Sequence, residues 1–530
     1  MNGFRVKLLT SPMPSRVWGW RVLFPPLGIG FIASYLKERG VVVEQDDLDV
    51  RTLCDGQFMN LFEKALTQLS RPVAVADYLV DEDVDQLIDY TADRIDYRGF
   101  DLIGFSIGYF NMFNFVITLG MTKKIKERSG IAIVFGGMGV WHNAVSILEN
   151  FDWVDYIIVG KGEESMFKLC QMLSTGTVAE DEIPGLTYRK NGRVIANESS
   201  FLYGTSNLVP DFAGFPLELY EYDYYDILSS LWIDLPQKQE QDILKKDDLK
   251  VLIFPYQFID GCAGKCAFCV QSGGSHLKVT PPYQVASALQ RLSREYGAKY
   301  FSFLNSQIDI SYEYVDTLCD EIIKNKLDIM WSDSASLRNL DERLLDKMRR
   351  AGCVKLWYGI ELPTDKMLKF IGKKLTVKQA KSALRMAHEA GIWNGVNLIV
   401  GMPYETEEDI RQTVEFIQEN EQFIDIYGPN KFELKKGSLF TTDPQRYGIR
   451  LLPRCSGFEE IDGLSWKERK ARTDQAFEIL QNLIDPKYNW VSNNAPLLFY
   501  LYSLFGNKEE VRRWMSWASE RTKQSIPSAW

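Results

Sequence analysis

Histidine is scarce in this chain, three in 530 residues, too few for acid–base or metal chemistry that depends on several imidazoles. A cationic surface is missing too: 61 Lys and Arg face 71 Asp and Glu, a formal net charge of -10, which argues against a general nucleic-acid-binding face. The opening MNGFRVKLLTSPMP lacks the long apolar core of a secretory signal or membrane span and reads as a short strand and a loop. Cysteine is sparse, eight in all and mostly scattered, so a reducing cytoplasm is expected rather than a disulfide framework. What is present is ordinary globular usage, 45% hydrophobic and 25% charged, with chain enough for two or three domains.

The cysteines gather at one place, between Asp260 and Gly274, as Cys262, Cys266 and Cys269. A Cys-x3-Cys-x2-Cys loop can wrap three thiolates around three corners of a cubic iron–sulfur cluster and leave the fourth iron open to a small molecule. Zinc is the rival, but it favours four closed ligands, and no Cys or His follows at zinc-like spacing: the next are His276 and Cys319.

Strand and helix alternate over the first 170 residues, with strands expected at 4–9, 41–47, 100–106, 131–137 and 154–159. Helices are expected at 25–40 and 112–129. This order predicts a doubly wound α/β sheet with its ligand edge at the carboxyl ends of the strands. Ser106, Gly136, Gly137, Gly160 and Gly162 lie on that edge, where a missing side chain lets a large ligand approach the backbone; tight turns alone would also account for the glycines. Residues 171–247 read as a connection holding a hairpin turned at Asn191-Gly192, an aromatic run from Tyr220 to Tyr225 and a charged stretch, with a boundary near Asp247. From 248 to 455 the alternation resumes, with strands at 251–255, 300–304, 328–331, 354–360, 395–400 and 425–432. Six strand–helix units predict a partial (β/α)6 barrel with its functional groups at the carboxyl-terminal rim. Residues 456–530 read as a small helical cap carrying Trp490, Trp514, Trp517 and Trp530, for which packing is as good an explanation as substrate contact.

The 248–455 block resembles the radical S-adenosylmethionine (SAM) superfamily. The resemblance implies that Cys262, Cys266 and Cys269 hold a [4Fe–4S] cluster whose open iron is chelated by SAM. It implies that Phe268 walls the adenine and that Glu361, at the end of Tyr358-Gly-Ile-Glu361, pairs with the SAM amino group. The backbone of Gly401, Met402 and Pro403 would border the adenosine. Arg338 would reach the SAM carboxylate, and Asn305 and Asp309 would serve the ribose or the substrate. The first 170 residues resemble the cobalamin-binding domain that precedes many such enzymes, through PPLGIGFIASYLKERG, DLIGFSI, FGGMG and VDYIIVGKGEES. Two departures stand out: the Asp-x-His-x-x-Gly loop is absent, and Gly136-Gly-Met-Gly-Val-Trp141 replaces the usual Gly-Gly-Pro-His-x-Thr, with His142 displaced. Either a cobalamin held without a protein ligand or a fold that has lost its cofactor fits these changes.

Together these features predict a cytoplasmic radical SAM enzyme that abstracts hydrogen from an unactivated carbon, with cobalamin-dependent methylation of a natural-product or peptide substrate as the leading activity. A flavodoxin- or ferredoxin-type electron donor is expected. A peptide epimerase or ring-modifying enzyme with Cys455 as hydrogen donor is the alternative, and a non-catalytic cobalamin or cluster sensor is the alternative from another class. Cys353 is expected to be a buried structural thiol.

Overall fold

A computed structural model describes residues 3–12, 24–71, 73–108, 112–199, 208–231, 249–270, 277–453 and 457–522. The chain divides into two compact units, Met1–Glu221 and Tyr222–Trp530.

The first unit is built on a seven-stranded sheet of β1 (Arg5–Thr10), β2 (Val42–Asp46), β3 (Leu102–Ser106), β4 (Ala132–Gly136), β5 (Tyr156–Ile158), β6 (Leu186–Lys190) and β7 (Arg193–Ala196), in the spatial order β2-β1-β3-β4-β5-β6-β7. The first five strands are parallel and the last two antiparallel. Chain order reverses between β1 and β3, which opens a crevice at their carboxyl ends. Leu102, Ile103, Gly104 and Phe105 of β3 are all buried, as a strand covered on both faces must be. Ile103, Phe105, Ile133 and Phe135 share one apolar cluster with Phe115, Leu119 and Met121. The last three lie on the helix Met112–Ser129, whose ends match the sequence reading.

The hairpin expected in a connection proves to be part of this sheet. Tyr156 of β5 registers with Tyr188 of β6, and Arg189 donates to the carbonyls of Leu148, Phe151 and Val154 at 3.0, 2.6 and 2.7 Å. Asn191 and Gly192 both take positive φ, 51° and 77°, the mirror-image turn that suits the twist of two paired strands. Residues beyond the hairpin also belong here: Gln45 Nε2 donates to the carbonyls of Asp211 and Ala213, each at 2.7 Å.

The second unit holds β8 (Ile253–Tyr256), β9 (Tyr300–Phe303), β10 (Met330–Ala335), β11 (Cys353–Glu361), β12 (Trp393–Val400) and β13 (Ile426–Lys431), all parallel and neighbouring in chain order. Strands that follow chain order, with a helix after each, wind in one direction as the expected partial (β/α)6 barrel. Alternate residues separate its two faces. Phe254 packs against Tyr296 of the helix Pro282–Tyr296, and Trp331 Nε1 donates to Ala351 O at 2.9 Å, just past the helix Glu342–Arg350. The opposite residues register with one another on the inner face: Ser302 with Ser332, Ser332 with Lys355, Ser334 with Trp357, and Trp357 with Gly395.

The carboxyl-terminal helices divide between the two ends of the barrel. The helix Trp466–Leu483 reaches the rim through Arg469, whose Nη1 donates to the carbonyls of Gly401 and Met402 at 3.2 and 2.7 Å. The helices Ala495–Phe505 and Lys508–Arg521 close the opposite end, where Tyr300 meets Ser503 at 2.9 Å and Lys508 Nζ bonds Ile392 O and Asp425, each at 2.7 Å. The cap predicted over the site is therefore one helix at the rim and a plug beneath. Trp514 is 6% exposed and packs on Trp517, so packing explains these tryptophans; Trp530 lies outside the described residues. Among the described residues no helix is long and apolar enough to cross a membrane.

Candidate active site

At the carboxyl-terminal rim of the barrel the cysteine loop follows β8. Asn305 sets its entry: its Oδ1 accepts from the N–H groups of Phe258 and Ile259 at 3.1 and 2.8 Å, while its Nδ2 donates to Asp333 at 2.7 Å. The side chain is 5% exposed and bonds through both its oxygen and its nitrogen, which gives Asn305 a part in the framework of the loop. Asp309 is likewise enclosed, accepting from Ser336 N and Oγ at 2.7 Å each. Burial lifts the Asp333 carboxyl to about 8 against the hydrogen bonds from Asn305 and Ser334.

The three predicted thiols are all half-buried. A Cβ on Gly264 would sit 3.2 Å from Cys262 Sγ and 3.8 Å from Cys266 Sγ, so only glycine leaves the space between the sulfurs empty. The Gly264 N–H points at Cys262 Sγ, 3.3 Å away. Burial pushes the Cys266 thiol up, and the nearby Lys373 ammonium opposes that shift. This cradle fits a group that takes three thiolates and approaches the backbone, as a cluster does. The far side of the loop is pinned by backbone bonds, Ala267 N to Ile371 O at 2.8 Å and Phe440 N to Ala267 O at 3.1 Å.

Glu361 ends β11 with φ of +68°, an unusual conformation for a residue with a Cβ and one that marks a constrained site. Its carboxylate meets Lys373 Nζ at 3.0 Å, with the two side chains 10% and 14% exposed. Gly359 makes this possible, since a Cβ there would lie 2.4 Å from Glu361 Oε1 and 2.7 Å from Lys373 Nζ. Arg338 stands at the rim beyond Leu337, another positive φ at 66°; it donates to Ser336 Oγ at 3.1 Å and to Gln307 Oε1 at 3.3 Å, and Gln307 lies 3.9 Å from Cys262 Sγ.

A cavity of about 820 Å³ opens beside Phe268 and is bounded by Ile399, Asn430, Phe432 and Phe477. Gly401, Met402 and Pro403 sit behind that wall, all buried. Arg469 occupies the carbonyls of Gly401 and Met402, and the Gly401 N–H bonds to Glu405. Burial raises the Glu405 carboxyl to about 7 against that hydrogen bond. Cys353 is 0% exposed with its thiol pushed well up by burial, which makes it inert. Cys455 lies outside the described residues.

In the first unit Ser106, Gly136, Gly137, Gly160 and Gly162 all stand at or just beyond the carboxyl ends of β3, β4 and β5, each half-buried. The glycines differ in cause. A Cβ on Gly137 would meet Ile107 O at 2.5 Å and one on Gly162 would meet Ile32 Cδ1 at 2.8 Å, whereas Gly136 has only Ile158 O, at 3.9 Å. Packing accounts for the first pair, while Gly136 faces open space, as backbone approach by a large ligand would require. His142 is exposed in the turn after Val140.

Lys373, Arg469 and Glu405 were missed as participants in the sequence reading. A lysine twelve positions after Glu361 carries no spacing signal, and Arg469 arrives from a helix read as a separate cap.

Residues 256–417 match the radical SAM superfamily. An uncharacterized methyltransferase of Pyrococcus horikoshii is 25% identical over 397 residues, covering 74% of this chain and 72% of that relative. The anaerobic magnesium-protoporphyrin IX monomethyl ester cyclase of Rubrivivax gelatinosus is 24% identical over 303 residues, 56% of this chain and half of the relative's length. Among solved structures, the radical S-adenosylmethionine methyltransferase TsrM of Kitasatospora setae, bound to cobalamin and a [4Fe–4S] cluster, superimposes with a TM-score of 0.63 at 16% identity over 98% of this chain and all of that one. That likeness establishes a shared fold.

Proposed function

We propose, for a chain that carries a radical SAM domain, that it is a cobalamin-dependent methyltransferase acting on an unactivated carbon of a small-molecule or peptide substrate. The observation that carries the reading is the grouping of Cys262 and Cys269 about Cys266, with Gly264 between the first two sulfurs and Glu361 and Lys373 close by. When bound, a [4Fe–4S] cluster with SAM supplies a 5′-deoxyadenosyl radical, and cobalamin supplies a methyl group. The three thiolates hold the cluster and leave one iron for SAM. Glu361 accepts from the SAM amino group and Arg338 donates to its carboxylate, while Phe268 and Ile399 border its adenine at the edge of the 820 Å³ cavity. Ser106, Gly136 and Gly160 would take the corrin edge. The plug beneath the barrel excludes water from the inner face. A flavodoxin- or ferredoxin-type donor supplies the electrons, and the cytoplasm is the matching compartment.

Anaerobically reconstituted protein tests this directly. The expected result is a retained corrinoid spectrum beside iron–sulfur absorption, and 5′-deoxyadenosine on incubation with SAM and dithionite. Iron–sulfur absorption with no corrinoid retained from added cobalamin would overturn the methyl-transfer reading. It would leave the second reading, a ring-modifying radical enzyme, which the cyclase relative favours.

A further inference from the structure

Among the described residues of the second unit, Lys355 is the one strongly buried lysine that neither the fold nor the proposed chemistry uses. It lies on β11 and is 6% exposed, and among the described residues no hydrogen bond or ion pair holds its ammonium. Lys508, buried to the same degree, rests on Asp425 and the Ile392 carbonyl, which is how a buried cation is ordinarily accommodated.

Its direction is set by a local irregularity. Between β10 and β11 the register steps from Trp331–Cys353 to Ser332–Lys355, so Val354 is the extra residue of a β-bulge, a device that re-aims a side chain. The bulge puts Lys355 level with Ser332 and Ser302 on the inner face. Above it the inner face is open: Ser334, Trp357, Gly359, Asn397 and Gly428 are each part-exposed although the sheet surrounds them. Glycine at 395 admits the Trp357 ring, since a Cβ there would come within 2.6 Å of it. The Lys355 ammonium stands 5.8 Å from the centre of that ring, so the side chain extends up the lumen toward the rim.

We infer that Lys355 anchors a carboxylate of the substrate inside the barrel, with the Trp357 ring flanking the apolar or aromatic body of that molecule. A single ammonium beside serine hydroxyls matches a singly charged carboxylate; a phosphate dianion would keep an uncompensated charge. The SAM carboxylate is too far away. Glu361 lies six residues further along the strand, about 20 Å at the usual rise, and Arg338 already stands at that level beside Gln307 and Cys262. Burial holding the free ammonium down to about 8 fits a group that waits for its counter-charge. The inference names the substrate class for the proposed enzyme and rests on that reading for its chemistry, while the binding stands or falls separately.

The test uses full-length, cluster-reconstituted protein and a matched probe pair, 3-phenylpropanoate and neutral 3-phenylpropanamide, with affinities measured by titration calorimetry and SAM affinity measured alongside. Wild type is expected to prefer the acid by about ten- to a hundredfold, the range of a charge-assisted hydrogen bond in a desolvated site. Lys355→Met removes that preference, Lys355→Arg keeps it, and Arg338→Gln keeps it while weakening SAM. Equal binding of acid and amide by wild type overturns the inference, as does a preference that survives in Lys355→Met. Loss of SAM affinity in Lys355→Met would assign the lysine to SAM and overturn the substrate assignment. Should Lys355→Met fail to fold, the wild-type acid-to-amide ratio and Lys355→Gln still decide. Failure of the radical reading shows elsewhere, as absent 5′-deoxyadenosine.

Discussion

Both sheets are built on parallel strands that alternate with helices, the first with an antiparallel hairpin added at its edge, yet they hold space for ligands in different places. The first reverses its strand order between β1 and β3, so its free space is a crevice outside the strand ends, and β3 is apolar on both faces. The second keeps chain order and curls, so free space lies inside it, and its strands alternate apolar residues against the helices with Ser302, Ser332, Ser334, Lys355 and Asn397 toward the interior. A sheet between two helical layers needs continuous apolar strands, whereas a barrel with a polar interior needs alternation. The first sheet can therefore offer a large ligand chiefly backbone at its strand ends, and the second can offer it side chains.

The largest expected effect breaks the comparison on the barrel side alone. Cys266→Ala removes one of three thiolates and is expected to abolish 5′-deoxyadenosine formation while corrinoid retention by the first unit stays at the wild-type level. Visible absorption and product chromatography read both quantities in one preparation. Loss of corrinoid in this variant would show that the two sites are not separable.

Next is the ion pair at the rim. Lys373→Met leaves the Glu361 carboxylate, whose side chain is 10% exposed, without its partner, and breaking a buried pair in this way costs about 3–5 kcal/mol. Denaturant unfolding should show that loss, and saturating SAM should recover part of it by presenting its amino group to Glu361. A loss under about 0.5 kcal/mol, as for a surface pair, would mean the rim is wetter than the geometry implies.

Lys355→Met goes the other way. The lysine falls from 10.5 to about 8 through burial alone, and at about 1.4 kcal/mol per unit its protonated form costs the folded protein about 3–4 kcal/mol. Below pH 8 both folded and unfolded chains carry the proton and the cost is complete. Between 8 and 10.5 the unfolded chain binds more protons, so wild-type stability rises with pH. The variant should be more stable than wild type at pH 7 by up to about 3–4 kcal/mol, with the advantage shrinking at pH 9.5. A constant advantage across that range would place the lysine's cost in packing instead of charge.

Much of this was legible in the sequence because the strongest signals are local. The cysteine spacing, the Gly-Ile-Glu strand end and the β–α alternation need no tertiary information, and they located both sheets and the rim. The hairpin was recognised, with its Asn-Gly turn, but a turn does not say which sheet its strands join; that depended on Tyr188 meeting Tyr156. Asn305 was placed at the correct strand end, but its bonds to Phe258, Ile259 and Asp333 were not foreseen, because an amide that caps two backbone N–H groups looks the same in sequence as one that meets a ligand. Lys355 was passed over inside the strand expected at 354–360. The serines and asparagine alternating through neighbouring strands were the available signal, and the bulge that turns the lysine inward left none.

The smallest effects sharpen the crevice. Gly137 has φ of +89° and no room for a Cβ beside the Ile107 backbone, so Gly137→Ala should cost about 2 kcal/mol or more whatever the crevice binds. Gly136 ends β4 with its Cβ direction open apart from a carbonyl 3.9 Å away, so Gly136→Ala should shift stability by under about 1 kcal/mol. A ligand edge and a tight turn then separate cleanly. If the corrin lies against this edge, Gly136→Ala lowers corrinoid retention at nearly unchanged Tm, and Gly137→Ala lowers retention only in proportion to the protein it unfolds. Full retention in Gly136→Ala would move the corrin away from β4 and leave Ser106 and Gly160 as the edge residues to test.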